Sequence, residues 1–308
     1  IFSLFAEDNI ELTDTTMLTP GLRYDLHSES GNNWSPALNL SQELGDYFTL
    51  KMGIARSYKA PTLFQTNGNY LLYSKGQGCA GSDTKNGCYL LGNDDLKAET
   101  SVNKEIGLEF HNEGWLAGVT YFRNDYHNKI EAGNSRIATS STGTAVYQWE
   151  NVPKAVVQGL EGSLNVPVSE TVTWSNNATY MIENKNKTTG DYLSVIPKFT
   201  VNSTLSWQAT QDLSMQSTLT WYGRQKPKKY NYQGKPATGG ETREVSPYAV
   251  VGASATYDLT KNVSLTAGID NLFDTAYTDP QSAWSTTAVT EQGKGRTFKI
   301  SITGRLGN

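Results

Sequence analysis

Residues 213–222 read Leu213-Ser214-Met215-Gln216-Ser217-Thr218-Leu219-Thr220-Trp221-Tyr222. Leu213, Met215, Leu219 and Trp221 fall on one side of an extended chain. Ser214, Gln216, Thr218, Thr220 and Tyr222 fall on the other. This is the period of a strand with one oily and one wet face. It returns at Val201, Leu205 and Trp207 against Asn202, Thr204, Ser206 and Gln208, and at Val263, Leu265, Ala267 and Ile269 against Ser264, Thr266, Gly268 and Asp270. Phe298, Ile300 and Ile302 oppose Lys299, Ser301 and Thr303 in the same way. Working outward, the pattern predicts 13 strands near 3–12, 15–27, 33–43, 47–57, 100–111, 115–132, 145–166, 171–183, 193–208, 212–223, 248–258, 262–271 and 295–304. No helical stripe competes with them, so the expected class is all-β.

The connections carry as much information as the strands. Tight ones are expected around Thr13, Gly45, Asn112, Glu170, Gln211 and Lys261, and longer ones near 28–32, 58–99, 133–144, 184–192, 224–247 and 272–294. Short and long alternate along the chain. An antiparallel meander with turns on one rim and long loops on the other is the outer-membrane barrel pattern. There the apolar face meets lipid and the polar face lines a wet lumen, whereas a soluble sandwich turns its apolar face inward. Strands of about 10 residues or more cross a bilayer when tilted. Trp115, Trp174 and Trp207 each lie within a few residues of a tight turn, as an interfacial girdle requires. Edge packing in a soluble sheet would place them similarly. Glu105, Glu161 and Asp270 read as lumen-facing polar residues rather than catalytic carboxylates.

Composition agrees. Of 308 residues, 18% are charged and 37% apolar, both below ordinary soluble domains, and the difference goes to strand and turn formers, including 17 Tyr, 7 Trp and 28 Gly. No run of 18 apolar residues offers a transmembrane helix. A net charge of −4 argues against a nucleic-acid partner. Enzyme signatures are missing as well: there is no Gly-x-Ser-x-Gly, no phosphate loop and no dinucleotide fingerprint, and His27, His111 and His127 are scattered.

Thirteen strands do not make a closed single-chain barrel, because bacterial ones use even numbers and lipid tolerates no open edge. The chain also opens inside a strand-like run, Ile1 to Ala6. The expectation is therefore the C-terminal part of a larger barrel, occupying 1–308, with no plug domain in this chain. Cys79 and Cys88 sit nine apart in a Gly-rich loop and can close a ring, which would stabilise that loop by about 2.5–3 kcal/mol. A disulfide suits the oxidising cell exterior. A metal site would lack partners, since no Cys-x-x-Cys or His-x-x-x-His occurs.

Several stretches resemble TonB-dependent outer-membrane receptors. They are Ser3-Leu4-Phe5-Ala6-Glu7-Asp8-Asn9 with Leu18-Thr19-Pro20-Gly21-Leu22-Arg23-Tyr24-Asp25, Ala55-Arg56-Ser57-Tyr58-Lys59-Ala60-Pro61, Gly159-Leu160-Glu161-Gly162 and Asp270-Asn271-Leu272-Phe273-Asp274. The resemblance narrows to the ferric enterobactin receptors through the run from Asn69 to Cys79, Tyr147 to Ala155, and Trp221 to Tyr230. It implies the last 13 strands of a barrel of ~22 around an N-terminal plug, with the plug and the TonB-contacting segment outside this chain. Two departures stand out. Asn308 ends the chain where the family usually has an aromatic residue, and 275–295 matches poorly.

The implied ligand is a ferric tris-catecholate, a trianion of net charge about −3 with its rings outward. Its iron arrives chelated, so no resident cofactor or protein metal ligand is expected. Such a ligand needs cations for the charge and aromatic faces for the rings. The candidates are Arg224, Lys226, Lys228 and Lys229 with Tyr230 and Tyr232 in one loop, and Lys75 and Gln77 with Tyr70 and Tyr73 beside the cysteines. At ~6 Å and an effective dielectric near 20 one charge pair contributes about 3 kcal/mol, and below about 1 in open water. Convergent cations would bind tightly where scattered ones would not. The same lysines suit lipopolysaccharide phosphates, and Tyr70 and Tyr73 equally suit packing under the loop. The implied role is TonB-powered import of a ferric catecholate siderophore at the bacterial outer membrane. Outer-membrane lipid is the surrounding solvent, and the exposed loops would also serve bacteriocins or phage. A passive pore would favour a charge-lined constriction instead.

Overall fold

The computed structural model describes all residues except 29–30, 75–86, 134, 231–235, 278–292 and 306–308. The strands are β1 (Phe2–Glu7), β2 (Ile10–Thr13), β3 (Thr16–His27), β4 (Gly31–Leu44), β5 (Phe48–Lys59), β6 (Leu71–Ser74), β7 (Cys88–Leu91), β8 (Glu99–Asn112), β9 (Trp115–Ala132), β10 (Ala138–Thr139), β11 (Ala145–Ser169), β12 (Val172–Asn186), β13 (Phe199–Gln208), β14 (Leu213–Tyr222), β15 (Tyr248–Thr260), β16 (Val263–Asp270) and β17 (Thr297–Gly304). One helical turn, α1 (Leu63–Thr66), follows β5.

The long strands form one antiparallel meander. β3 pairs with β1, β2 and β4, then β4 with β5, β5 with β8, β8 with β9, β9 with β11, and each strand from β11 to β17 with the next. The first expected strand is interrupted at Asp8 and Asn9, giving β1 and β2. The short strands β6, β7 and β10 lie in loops, and with that interruption the described residues hold 17 strands where 13 are expected. Three further expectations need correction. The strand expected from 193 begins at Phe199, because 187–198 folds back on β12 through Asn184 Nδ2 to the Ser194 carbonyl (2.8 Å). The connection expected at 28–32 spans only 28–30, since His27 pairs directly with Gly31. The last strand starts at Thr297.

The tight rim is built as its residues require. Glu113 and Gly114 both take positive φ (45° and 83°) between Asn112 and Trp115, which pair directly, the two-residue hairpin whose twist matches its strands. Gly45 (φ 67°) opens the β4–β5 turn.

No second layer covers the oily face of the described strands. Lateral pairing aligns Leu38 with Ile54, Met52 with Ile106, Leu108 with Val119, and Val201 with Trp221. All of these but the half-buried Val201 stay exposed, for example Ile54 at 48%, Val119 at 51% and Trp221 at 46%. In water so wide an apolar surface would drive association; in a bilayer it is the lipid-facing band. Trp115, Trp174 and Trp207 lie on this face near the tight turns, and so do Phe48 and Phe110, whose rings meet at a tilt with centroids 5.2 Å apart. Toward the long-loop rim the same face carries Tyr24 against Trp34 (4.6 Å) and Phe199 against Trp221 (4.7 Å), a second aromatic belt. The opposite face holds polar pairs, including Lys51 with Glu109 (2.7 Å) and Lys299 with Asp270. The compact apolar cluster sits at the long-loop rim: Cys88, Leu90, Ala145 and Tyr147, with Leu72, Ala132 and Trp149 against them.

Candidate functional site on the long-loop rim

Two long loops carry the expected ligand residues. The first joins β5 to β8. Its hairpin, β6 with β7, is docked on the wall: β7 runs parallel to the start of β11, with Tyr89 beside Val146 and Leu91 beside Gln148. Side chains rivet the remainder. Gln148 Nε2 donates to the Gly92 carbonyl (3.0 Å), Asn93 Nδ2 to the Trp149 carbonyl (2.9 Å), and Asn151 Nδ2 to the Lys97 carbonyl (2.9 Å) while its Oδ1 accepts the Lys97 N–H (2.8 Å). Gly92 permits this packing, because a Cβ there would lie 2.0 Å from the Asn67 carbonyl oxygen. Cys88 is fully buried and disulfide-bonded. Cys79, Lys75 and Gln77 lie outside the described residues. Tyr70 and Tyr73 are about half exposed, and Tyr73 packs on Tyr89 at 5.4 Å between centroids.

The second loop leaves β14 at Tyr222 as a two-stranded finger. Gln225 and Val245 exchange backbone hydrogen bonds (3.1 and 3.0 Å), Tyr230 bridges Pro236, and Ala237 N–H reaches the Lys229 carbonyl (2.8 Å). Its return limb holds a helical turn at Gly239–Thr242, where Thr238 N–H donates to Glu241 Oε2 (3.1 Å). Gln225 anchors the root, 2% exposed. Arg224, Lys226 and Lys229 are exposed and Lys228 is half-buried. The four cations are not equivalent. Glu244 holds Arg224 at 2.9 Å and Lys226 at 3.9 Å, while Lys228 and Lys229 have no carboxylate partner among the described residues. Tyr230 is exposed next to them, and Tyr232 lies outside the described residues.

Sequence reasoning missed Asp191, which fixes this finger. Its carboxylate is buried in the β12–β13 loop and accepts three backbone N–H groups: Tyr192 (2.7 Å) and Lys229 (2.8 Å) on Oδ1, and Tyr230 (3.0 Å) on Oδ2. Charge-assisted bonds of this kind are about twice as strong as neutral ones. The segment Thr189-Gly190-Asp191 reads only as a turn, so nothing local announces a partner 38 residues away. Glu244 was missed for the same reason. Among the described residues no group of three His, Cys, Asp or Glu is arranged to hold a metal ion.

The rim therefore presents cations and tyrosines on braced loops at the edge of the polar face, an arrangement able to capture an anionic aromatic ligand from outside. Comparison with known proteins places it in context. Residues 1–272 match the family model described as TonB dependent receptor-like, beta-barrel. The chain is 73% identical to the ferrienterobactin receptor of Escherichia coli K12 over 274 residues, covering 89% of this chain and 36% of that protein. It is 58% identical to the ferric enterobactin receptor of Pseudomonas aeruginosa over 315 residues, covering 98% of this chain and 42% of that one. It thus spans well under half the length of these curated relatives. A variant of the Pseudomonas aeruginosa receptor, crystallised in complex with enterobactin, superposes with a TM-score of 0.85 at 57% identity over 98% of this chain and 45% of that one. On the family match and these identities, the chain belongs to the TonB-dependent receptor β-barrel family.

Proposed function

We propose that this chain is the C-terminal barrel portion of an outer-membrane receptor that takes up a ferric catecholate siderophore of the enterobactin type. It acts as a transporter rather than an enzyme. The observation that carries the reading is the cationic, tyrosine-bearing finger 224–230, pinned by Asp191 and belonging to a chain 73% identical to a ferrienterobactin receptor. A ferric tris-catecholate spreads its charge over six coordinating oxygens and faces its surroundings with ring edges and faces. Lys228 and Lys229 meet the charge without a competing carboxylate among the described residues, and Tyr230, Tyr70 and Tyr73 offer rings and hydroxyls. Lys75 and Gln77, near the half-cystine loop, complete the proposed set, and Cys79 is the proposed partner of Cys88. Iron is cargo here, already chelated, and the protein supplies second-sphere contacts only. Release inward requires the plug and the TonB-coupled energy supplied by the remainder of the receptor.

The test is uptake of radiolabelled iron as ferric enterobactin by cells whose only catecholate receptor is the complete protein. Uptake that needs both the receptor and TonB supports the reading. Uptake indifferent to TonB points to a passive pore, and no uptake with intact outer-membrane insertion refutes it.

A further inference from the structure

The lipid-facing wall contains a groove of about 400 Å³ unrelated to the loops above. Its origin is a row across five strands. Val119, Gly162, Ala178, Val201 and Trp221 are register partners in turn from β9 to β14, so the two smallest side chains sit at its middle. The next row toward the long-loop rim, Tyr121, Leu160, Tyr180 and Phe199, is bulky and forms a ledge. Gly162 faces open space: a Cβ there would meet only the Gly118 carbonyl oxygen, at 3.8 Å. Tyr180 lies eight residues along β12 from Val172, about 20 Å up a strand tilted near 40°, close to the outer border of an apolar band about 25 Å tall.

At that border stands Lys198. Its Nζ lies 4.7 Å from the centre of the Tyr180 ring and donates to the Ile182 carbonyl (3.3 Å), leaving donors unused, and no carboxylate among the described residues pairs with it. Beside it the outward side chains are charged. Arg123 and Lys104 share Asp125 (2.7 and 3.0 Å), and Lys187 pairs with Glu183 (2.6 Å), so cations outnumber anions at headgroup depth. An apolar groove with an unpaired ammonium at its outer end has the polarity of an acylated anion lying with its tail inward.

We infer that this groove is a binding site for one acyl chain of a phosphorylated glycolipid of the outer leaflet, lipid A, with a phosphate on Lys198. Lipid tails are as apolar as leucine, so the groove contributes close packing rather than hydrophobic transfer, and the phosphate supplies the selectivity. The site is independent of siderophore binding.

The experiment is native mass spectrometry of the complete, delipidated receptor with bis-phosphorylated lipid A, dephosphorylated lipid A or phosphatidylglycerol as probe. The expected result is retention of one bis-phosphorylated lipid A, about five-fold over the dephosphorylated form. Lys198→Gln erases that preference, and Gly162→Leu, which fills the groove, lowers retention of both forms. Ferric enterobactin binding by each variant verifies its fold. Equal retention by wild type and both variants overturns the inference. So does phosphatidylglycerol held as well as lipid A, which would mark ordinary boundary lipid.

Discussion

Asp191 in the β12–β13 loop accepts the backbone N–H of Lys229 at 2.8 Å, and through its other oxygen that of Tyr230 at 3.0 Å. A buried carboxylate thus sets the pose of two proposed ligand residues without touching their side chains. Asp191→Ala leaves those amides without their acceptor and frees the finger. Losing two charge-assisted bonds of about 1.5–3 kcal/mol each is expected to raise the Kd for ferric enterobactin at least about tenfold. Asp191→Asn keeps an acceptor and is expected to fall between. Fluorescence titration of the complete receptor measures both, and an unchanged Kd for Asp191→Ala would show that the finger is held by other means.

Glu244 competes with the ligand for Arg224 and Lys226. Exposed ion pairs contribute about 0–1 kcal/mol, so Glu244→Gln is expected to tighten binding of the trianion by about two- to five-fold and to steepen its loss with salt. Titrations at low and high ionic strength check this. Weaker binding in the variant would mean that Glu244 chiefly orients the two cations.

Gly92→Ala tests the docking of the β6–β7 hairpin. With the Asn67 carbonyl 2.0 Å from the new Cβ, backbone must move, at an expected local cost of about 2–4 kcal/mol. Hydrogen exchange is expected to accelerate across 67–98 while the barrel ladders keep their protection. Unaltered exchange there would show that the loop absorbs the methyl group.

Leu219 and Gln216 sit on opposite faces of β14. If hydrocarbon covers the first, Leu219→Arg is expected to destabilise the barrel by about 2–4 kcal/mol and Gln216→Arg by far less. Urea unfolding in lipid vesicles reads the difference. Equal effects would contradict the lipid-facing assignment of the oily side.

The meander was readable because period and turn chemistry are local. Leu213 to Tyr222 shows its two faces by itself, and Glu113-Gly114 supplies its own left-handed turn. The interruption at Asp8-Asn9 was hidden because Ile10 and Leu12 continue an apolar pattern across it. The hairpin β6–β7 escaped notice because its stability comes from Ala145 and Tyr147, some 55 residues on. The start of β13 was misplaced because Val195 is buried by a loop packing on β12 rather than by strand pairing. At the site, residue types were legible but their restraints were not: Asp191 and Glu244 act across 18 to 39 residues, a separation no local pattern encodes.

Capture of a ferric catecholate trianion by convergent cations on the outer loops is the step on which the proposed function turns. Its most direct test is tryptophan fluorescence quenching of the complete receptor by ferric enterobactin, beside the triple variant Lys75→Glu, Lys228→Glu and Lys229→Glu. Saturation well below micromolar is predicted for wild type, with affinity reduced by about a hundredfold or more in the variant. Wild-type saturation only above micromolar, or full affinity surviving all three reversals, would contradict it.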